Sequence, residues 1–435
     1  MNHFRFYSRL QIILIAAIIL SLAGCSSLPG GQPASGKVLQ SQLERQKSPD
    51  VSAEELQAQV AGNSAFALDF YQATRAAPGN LFASPYSLSL ALAMTYAGAR
   101  GDTQTQMAQT LHFDLPQERL HPAFNRLDLQ LAAPVQEDKN QQAFQLSIAN
   151  SLWGEQSYTF LPEFLDALAL NYGAGLRLMD FKGSPEPARK VINDWVYQQT
   201  MEKIKDLIPQ GGIDSSTRLV LANAIYFKAD WLMPFAKEQT GDAPFTLLDG
   251  SQVSAPMMSY LRPESLGYVL GSGYQAVELP YVGNTASMVV IVPDQGSFEA
   301  FEAGFDSPKL AEIITALQPT IVALQLPKFK FESSYGLKQT LEAMGMLVAF
   351  EAGQADFSGM DGTQNLYIGN VYHKAFVAVD EKGAEAAAAS AVVMMKNSIM
   401  VDMISLTVDR PFIFLIHDRQ SGTILFLGRV VNPVL

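Results

Sequence analysis

Apolar residues recur along this chain in two rhythms that give way to one another without regular alternation. Residues 64–74 carry Phe66, Leu68, Phe70 and Tyr71 at helical spacing. Residues 87–99 read as a long apolar helix, 104–111 as another, and Pro185 opens a helical stretch at 185–199. Runs rich in strand formers occupy 144–153, 219–227, 274–281, 287–292, 324–331 and 367–380, with a further helix at 337–344. No internal repeat is visible. Helices first and many strands afterwards predict an α+β fold rather than a doubly wound sheet.

One stretch suits both rhythms: Glu381-Lys382-Gly383-Ala384-Glu385-Ala386-Ala387-Ala388-Ala389-Ser390-Ala391. Its alanines favour a helix on propensity alone. Read as a strand, Ala384, Ala386, Ala388, Ser390, Val392 and Met394 form one face, all small or apolar, that a sheet could bury. Glu385 would then point the other way, into water. A loop of this composition is fit to become a strand later.

Composition narrows the functional classes. The chain has 435 residues, 48% hydrophobic and 17% charged, ample for a large core. Asp and Glu number 42 against 30 Lys and Arg, a formal charge of -12, which argues against nucleic acid as the main partner. No Gly-x-Ser-x-Gly elbow, His-Glu-x-x-His pair or glycine-rich phosphate loop is present. His3, His112, His121, His373 and His417 show no metal spacing. Neither catalysis nor a metal or other cofactor is expected.

The N-terminus reads as a cleaved export signal. Arg5 and Arg9 precede an apolar run at 10–20, and Leu22-Ala23-Gly24-Cys25 closes it at the only cysteine. Exported, that cysteine has no disulfide partner. Residues 26–50 are rich in Ser, Gly, Pro and Gln and read as a flexible tether rather than an extra strand. The folded body is expected from Ser52.

Several words resemble the serpins, a family of protease inhibitors. Val379-Asp380-Glu381-Lys382-Gly383-Ala384-Glu385-Ala386-Ala387-Ala388 is similar to the hinge of their reactive-centre loop. Arg410-Pro411-Phe412-Ile413-Phe414 and Phe426-Leu427-Gly428-Arg429-Val430-Val431-Asn432-Pro433 follow in the family's order. Upstream, Asn80-Leu81-Phe82-Ala83-Ser84-Pro85-Tyr86-Ser87 and Asn223-Ala224-Ile225-Tyr226-Phe227-Lys228-Ala229-Asp230-Trp231 match as well. The resemblance covers almost everything from Ser52 onward. It implies an α+β serpin fold with three β-sheets, about eight to nine helices and an exposed reactive-centre loop at 381–408.

The resemblance also implies roles. Glu381, Gly383, Ala384, Glu385, Ala386, Ala387, Ala388, Ala389 and Ser390 would form the hinge. Ser84, Ser87, Asn223 and His373 would form a polar cluster beneath the opening of the central sheet, with Trp231 where the hinge goes in. Sixteen residues beyond Glu381 the family register puts the bait bond at Asn397–Ser398. Lys396 would suit a trypsin-like pocket, and Val393, Met394 or Met395 a chymotrypsin-, elastase- or subtilisin-like one. The partners implied are proteases, of the serine or cysteine class, and the protein itself would be a monomer. The other implied function is a binding or chaperone-like protein that only uses the fold.

Leu22-Ala23-Gly24-Cys25 resembles the bacterial lipobox, whose cysteine is acylated and becomes the new N-terminus. That implies a signal at 1–24, a lipidated Cys25 with tether at 25–51, and a serpin domain at 52–435. The protein would then be held at a membrane by its acyl chains, on the outer face of the cell envelope, at the outer membrane in a Gram-negative cell. Losing Arg5 and Arg9 with the signal takes the formal charge from -12 to -14.

Overall fold

Ser52 fixes the start of the first helix. Its hydroxyl accepts a hydrogen bond from the Glu55 N–H at 3.2 Å, and the Glu55 carboxylate accepts one from the Ser52 N–H at 2.9 Å. This capping box satisfies two donors that a helix leaves unpaired. The computed structural model describes residues 36–132, 145–260, 262–384 and 403–434. Among these the helices are α1 (Ala53–Thr74), α2 (Pro85–Tyr96), α3 (Gly101–Leu111), α4 (Gln117–Leu131), α5 (Pro162–Tyr172), α6 (Pro185–Gln199), α7 (Phe298–Ala303), α8 (Ser307–Ala316), α9 (Lys338–Ala343) and α10 (Ser358–Asp361).

The strands are β1 (Lys37–Leu39), β2 (Leu81–Ala83), β3 (Gln145–Glu155), β4 (Leu176–Met179), β5 (Leu219–Asp230), β6 (Gly241–Thr246), β7 (Gln252–Ser259), β8 (Glu264–Gly271), β9 (Tyr274–Pro280), β10 (Ala286–Pro293), β11 (Gln318–Pro327), β12 (Phe329–Gly336), β13 (Ile368–Val379), β14 (Gly383–Ala384), β15 (Ile404–Thr407), β16 (Phe412–Asp418) and β17 (Ile424–Val430). One sheet runs β1-β4-β3-β5-β14-β13-β12. The other runs β2-β17-β16-β10-β9-β8-β11-β7-β6, with β15 beside β11.

The α+β class is as expected, but hydrogen bonding joins the described strands into two sheets rather than three. β11 is the reason: its first half pairs with β8 and its second half with β7, which links two ladders into one. The described helices number ten, three of them, α7, α9 and α10, no longer than six residues. The run 324–331 is also two strands, since the chain breaks register at Lys328 between β11 and β12.

The tether expectation needs a larger correction. The described part of the fold already includes Gly36 to Val51, ahead of the expected start at Ser52. Val38 faces Arg177 in the antiparallel pairing of β1 with β4, so the extra strand that Pro and Gly argued against is present. Behind it, the Arg45 guanidinium donates to Asn125 and Asp128, the Gln46 N–H donates to the Leu170 carbonyl, and Pro49 is buried. The Pro- and Gly-rich composition belongs to residues 26–35, which lie outside the described residues. Residues 37–50 have partners that only the folded body reveals.

The first sheet is covered on both faces. All twelve residues of α2 are buried, as an apolar-all-round helix requires. α2 and the second sheet lie on one side, against Leu221, Ile225, Val371 and Ala375. On the other side, α6 and the connection after it bury Ala188, Ile192, Val196, Ile204 and Ile208 against Val220, Ala222, Ala224 and Tyr372.

Candidate functional site

The seam between β5 and β13 is the centre of the site. The two strands pair directly and in parallel from Leu219 and Ile368 up to Tyr226 and Phe376. Above that they part. The two residues of β14 occupy the gap, antiparallel to both: Ala384 faces Ala229 of β5 and Val379 of β13, and Gly383 faces Asp230. Only glycine fits at 383, because a Cβ there would lie 2.0 Å from the Ala229 carbonyl oxygen.

Aromatic and charged groups fasten the turn that leads into β14. Trp231 is 1% exposed and stacks on Tyr281 with ring centroids 4.5 Å apart. Its indole N–H donates to the Asp380 carbonyl at 3.0 Å, and its backbone N–H donates to the Lys382 carbonyl at 2.5 Å. The Glu381 carboxylate accepts from Lys328 Nζ and from the Thr240 hydroxyl, both at 2.8 Å. Burial pushes the Glu381 carboxyl up, but those donors and its own backbone N–H outweigh burial and leave it below the ordinary glutamate range.

Lower on the seam sits a polar cluster in an otherwise apolar interior. His373 and Asn223 face each other across β13 and β5 and are fully buried. His373 Nε2 accepts from the Ser84 N–H at 3.1 Å, so the neutral ring carries its proton on Nδ1 and donates it to Asn223 Oδ1. Burial pushes this imidazole down to about 3. The Asn223 amide donates to the Ser87 carbonyl at 2.9 Å, to the Ser87 hydroxyl at 2.6 Å and to Asn150. Ser84 also caps α2: its hydroxyl accepts from the Ser87 N–H at 3.2 Å and donates to the Leu425 carbonyl at 2.6 Å.

Ser84, Ser87, Asn223 and His373 are thus brought together, and Trp231, Glu381, Gly383 and the backbone of Ala384 gather at the upper end. Glu385, Ala386, Ala387, Ala388, Ala389, Ser390, Met394, Met395, Lys396, Asn397, Ser398 and Cys25 lie outside the described residues. Sequence reasoning missed Asn150, which completes the Asn223 network, and Thr240, Lys328 and Tyr281 around the hinge. Asn150 follows the apolar alternation of β3, and its polarity inside a buried strand was the available signal. Among the described residues no group of His, Cys, Asp and Glu could hold a metal ion, and no helix is long and apolar enough to cross a membrane.

Comparison with known proteins gives a consistent result. The family model described as Serpin (serine protease inhibitor) matches residues 61–433. A leukocyte elastase inhibitor of Xenopus laevis is 42% identical over 360 residues, covering 82% of this chain and 93% of its own. The human leukocyte elastase inhibitor is 40% identical over 380 residues, 85% of this chain and 98% of its own. The solved native state of the thermophilic serpin tengpin superposes with a TM-score of 0.78 at 29% identity, over 91% of this chain and 97% of that one. Thyroxine-binding globulin in complex with thyroxine gives 0.75 at 32% identity, over 86% and 99%.

Proposed function

We propose how this chain acts from one premise: it belongs to the serpin family. It is an inhibitor of serine proteases that is consumed as a suicide substrate, and it is not an enzyme. A protease serine attacks a carbonyl in the loop beyond Ala384, forming an ester to the loop and releasing a new amino terminus. The freed loop then enters the β5–β13 seam as a strand, as strand addition and release of stored strain both describe. Displacement of the attached protease stalls hydrolysis of the ester. Native stability is accordingly a matter of rates.

One observation carries this reading. The backbone of Gly383 and Ala384 is already paired between β5 and β13, so insertion needs only to continue a strand that has begun. The chain that follows is free of proline through Ser390 and, Glu385 apart, made of small residues. The test is a panel of proteases, scored for adducts that survive boiling in SDS, with mass spectrometry of the released C-terminal peptide. Adducts with at least one serine protease are expected; cleavage without any adduct would overturn the reading.

The finer assignments belong to the same proposal. Hinge residues Glu381 to Ser390 feed the insertion, and Ser84, Ser87, Asn223 and His373, with Trp231 above them, control the opening of the seam. The bait bond is Asn397–Ser398 in the family register. The elastase inhibitors among the relatives favour an elastase-like target, for which Val393, Met394 or Met395 is the better primary residue, and Lys396 serves a trypsin-like one. The chain is a bacterial lipoprotein anchored through Cys25, with residues 26–35 as its tether, on the outer side of the cell envelope. Cys25→Ala should release it from membranes; a variant that fractionates and migrates as wild type does would remove the anchor.

A further inference from the structure

β1 joins the first sheet at one definite level. Lys37 of β1 faces Leu178 of β4, Leu178 faces Gly154 of β3, and Gly154 faces Leu219, the first residue of β5. Gly36 therefore lies level with the closed lower end of the seam, where Leu219 and Ile368 pair. The reactive loop leaves from the other end of β5, where Ala384 faces Ala229 and Gly383 faces Asp230. It returns at β15 beside β11, and β12, which follows β11, sets Phe329 against Val379 at that same upper end. β5 has twelve residues, so about 36 Å of strand, at roughly 3.3 Å per residue, separates the two places. The segment behind β1 is pinned and lends no extra length. The Ser41 hydroxyl donates to Asp166, and the Gln46 N–H donates to the Leu170 carbonyl at 3.0 Å, both on α5.

We infer that the anchored protein holds its reactive loop on the side of the body turned away from the bilayer, so that its partners are soluble proteases arriving from the medium rather than proteases seated in the same membrane; this rests on the lipid anchor proposed for Cys25. Only residues 26–35 join Cys25 to Gly36. Fully extended, at roughly 3.6 Å per residue, that span reaches about 40 Å at most. A protease of about 220 residues is roughly 45 Å across. With the loop turned toward the bilayer, Gly36 would have to stand off by the protease and the length of β5 together, about twice that reach. With the loop turned outward no such clearance is needed, and a protease held close to the same bilayer meets the pole that carries β1. A tether running to Ser52 would have spanned about 95 Å and allowed either orientation; the pairing of β1 with β4 removes that freedom. The anchor thereby selects targets by the direction they come from, in addition to the sequence of the loop.

The test uses the full acylated chain in phosphatidylcholine vesicles. Its only cysteine is Cys25, so one added cysteine takes a donor dye by itself. Ser215→Cys marks the lower end, close before Leu219, and Glu238→Cys the upper end, close before the Thr240 that bonds Glu381; both positions are exposed. Energy transfer to an acceptor dye on the lipid headgroups is expected from position 215 and is expected to be lost at position 238. A second measurement takes one serine protease that the unanchored Cys25→Ala chain traps, and supplies it either free or fixed to the same vesicles by a short lipid linker. Adducts should form with the free protease and be lost with the fixed one. Inserting about thirty Gly and Ser residues between Ser35 and Gly36 should restore them. Equal transfer from the two positions, or adducts with the fixed protease at the level of the free one, overturns the orientation and leaves the anchor standing. A mature protein whose Cys25 carries no acyl chain in mass spectrometry overturns the anchor and this inference with it.

Discussion

The two ends of the β5–β13 seam differ in what fills them. At the upper end β14 already separates the strands, and the surroundings suit a hinge that goes in first: a glycine with no room for a Cβ, an indole bonded to Asp380 and Lys382, and a carboxylate held by Lys328 and Thr240. At the lower end β5 and β13 pair directly, and His373, Asn223, Ser84 and Ser87 bond across the join. The upper end is an open sheet with its first residues in place; the lower end is a closed one. On the proposed mechanism, insertion starts where β14 already separates the strands. The resistance lies below, where polar groups must exchange buried partners, and an unpaired buried donor costs about 1–3 kcal/mol.

The largest effect should come from blocking the step just beyond the open end. Ala386→Arg would bring a guanidinium into the growing strand two residues beyond Ala384, where burying it unpaired costs at least several kcal/mol. The variant should fold and be cut at the wild-type bond, but yield no SDS-stable adduct. Adduct yield and cleavage rate, measured side by side, check this. Adduct formation at the wild-type level would mean that strand growth from this hinge is not what inhibits. Asn223→Ala tests the closed end. It strips the acceptor from His373 Nδ1–H and the donor from the Ser87 carbonyl in a dry interior. The uncut protein should lose about 2–4 kcal/mol, read as a drop of several degrees in melting temperature, and take up a loop peptide faster.

Much of this contrast is legible in the sequence, and unevenly so. The strand 219–227, the helix 185–199 and the strand within 367–380 all follow from apolar periodicity and appear as β5, α6 and β13. Ser84, Ser87, Asn223 and His373 are polar residues inside apolar runs, and resemblance alone supplied their meeting, since they come from three distant stretches. Lys37 to Leu39 stayed hidden because three residues carry no period and their partners lie on β4. Thr240 and Lys328 stayed hidden for a related reason. Each contributes one long or small polar side chain from a loop to a carboxylate far along the chain, and nothing local marks it.

Acid should sharpen the difference between the two ends. The His373 imidazole is held at about 3 by burial, against about 6.5 for a free histidine. The unfolded chain then binds a proton that the folded one refuses between those values. The contribution of this group is fully present above about pH 6.5 and is lost progressively as pH falls toward 3. Native-state stability should decline over that window, and His373→Phe should show a shallower decline from a lower starting point. Unfolding midpoints of both proteins between pH 7 and 4 check the slope. Equal slopes would mean that His373 takes up its proton without loss of the folded state.

The smallest effect should come from loosening the open end. Glu381→Gln keeps a carbonyl oxygen for the Thr240 hydroxyl and loses the charge that Lys328 meets at 2.8 Å. Lys328 is over a third exposed, so water screens the pair and recovers its ammonium when the partner is gone. A loss of about 1 kcal/mol or less is expected in the uncut protein. The same ion pair gives the sign of its pH dependence: the Glu381 carboxyl lies below its ordinary value, so its contribution is present at neutral pH and disappears as pH falls below the usual glutamate range. Because Glu381 lies at the very start of the hinge, before the strand that the proposed insertion extends from β14, the heat resistance gained after loop cleavage should be unchanged. Limited proteolysis should show the effect instead, as faster nicking near Lys382 and Gly383 in the uncut variant. If nicking is unaltered while the melting temperature falls by many degrees, Glu381 supports the core of the sheet rather than the hinge, and the contrast between an open upper end and a closed lower one would have to be redrawn with this carboxylate on the closed side.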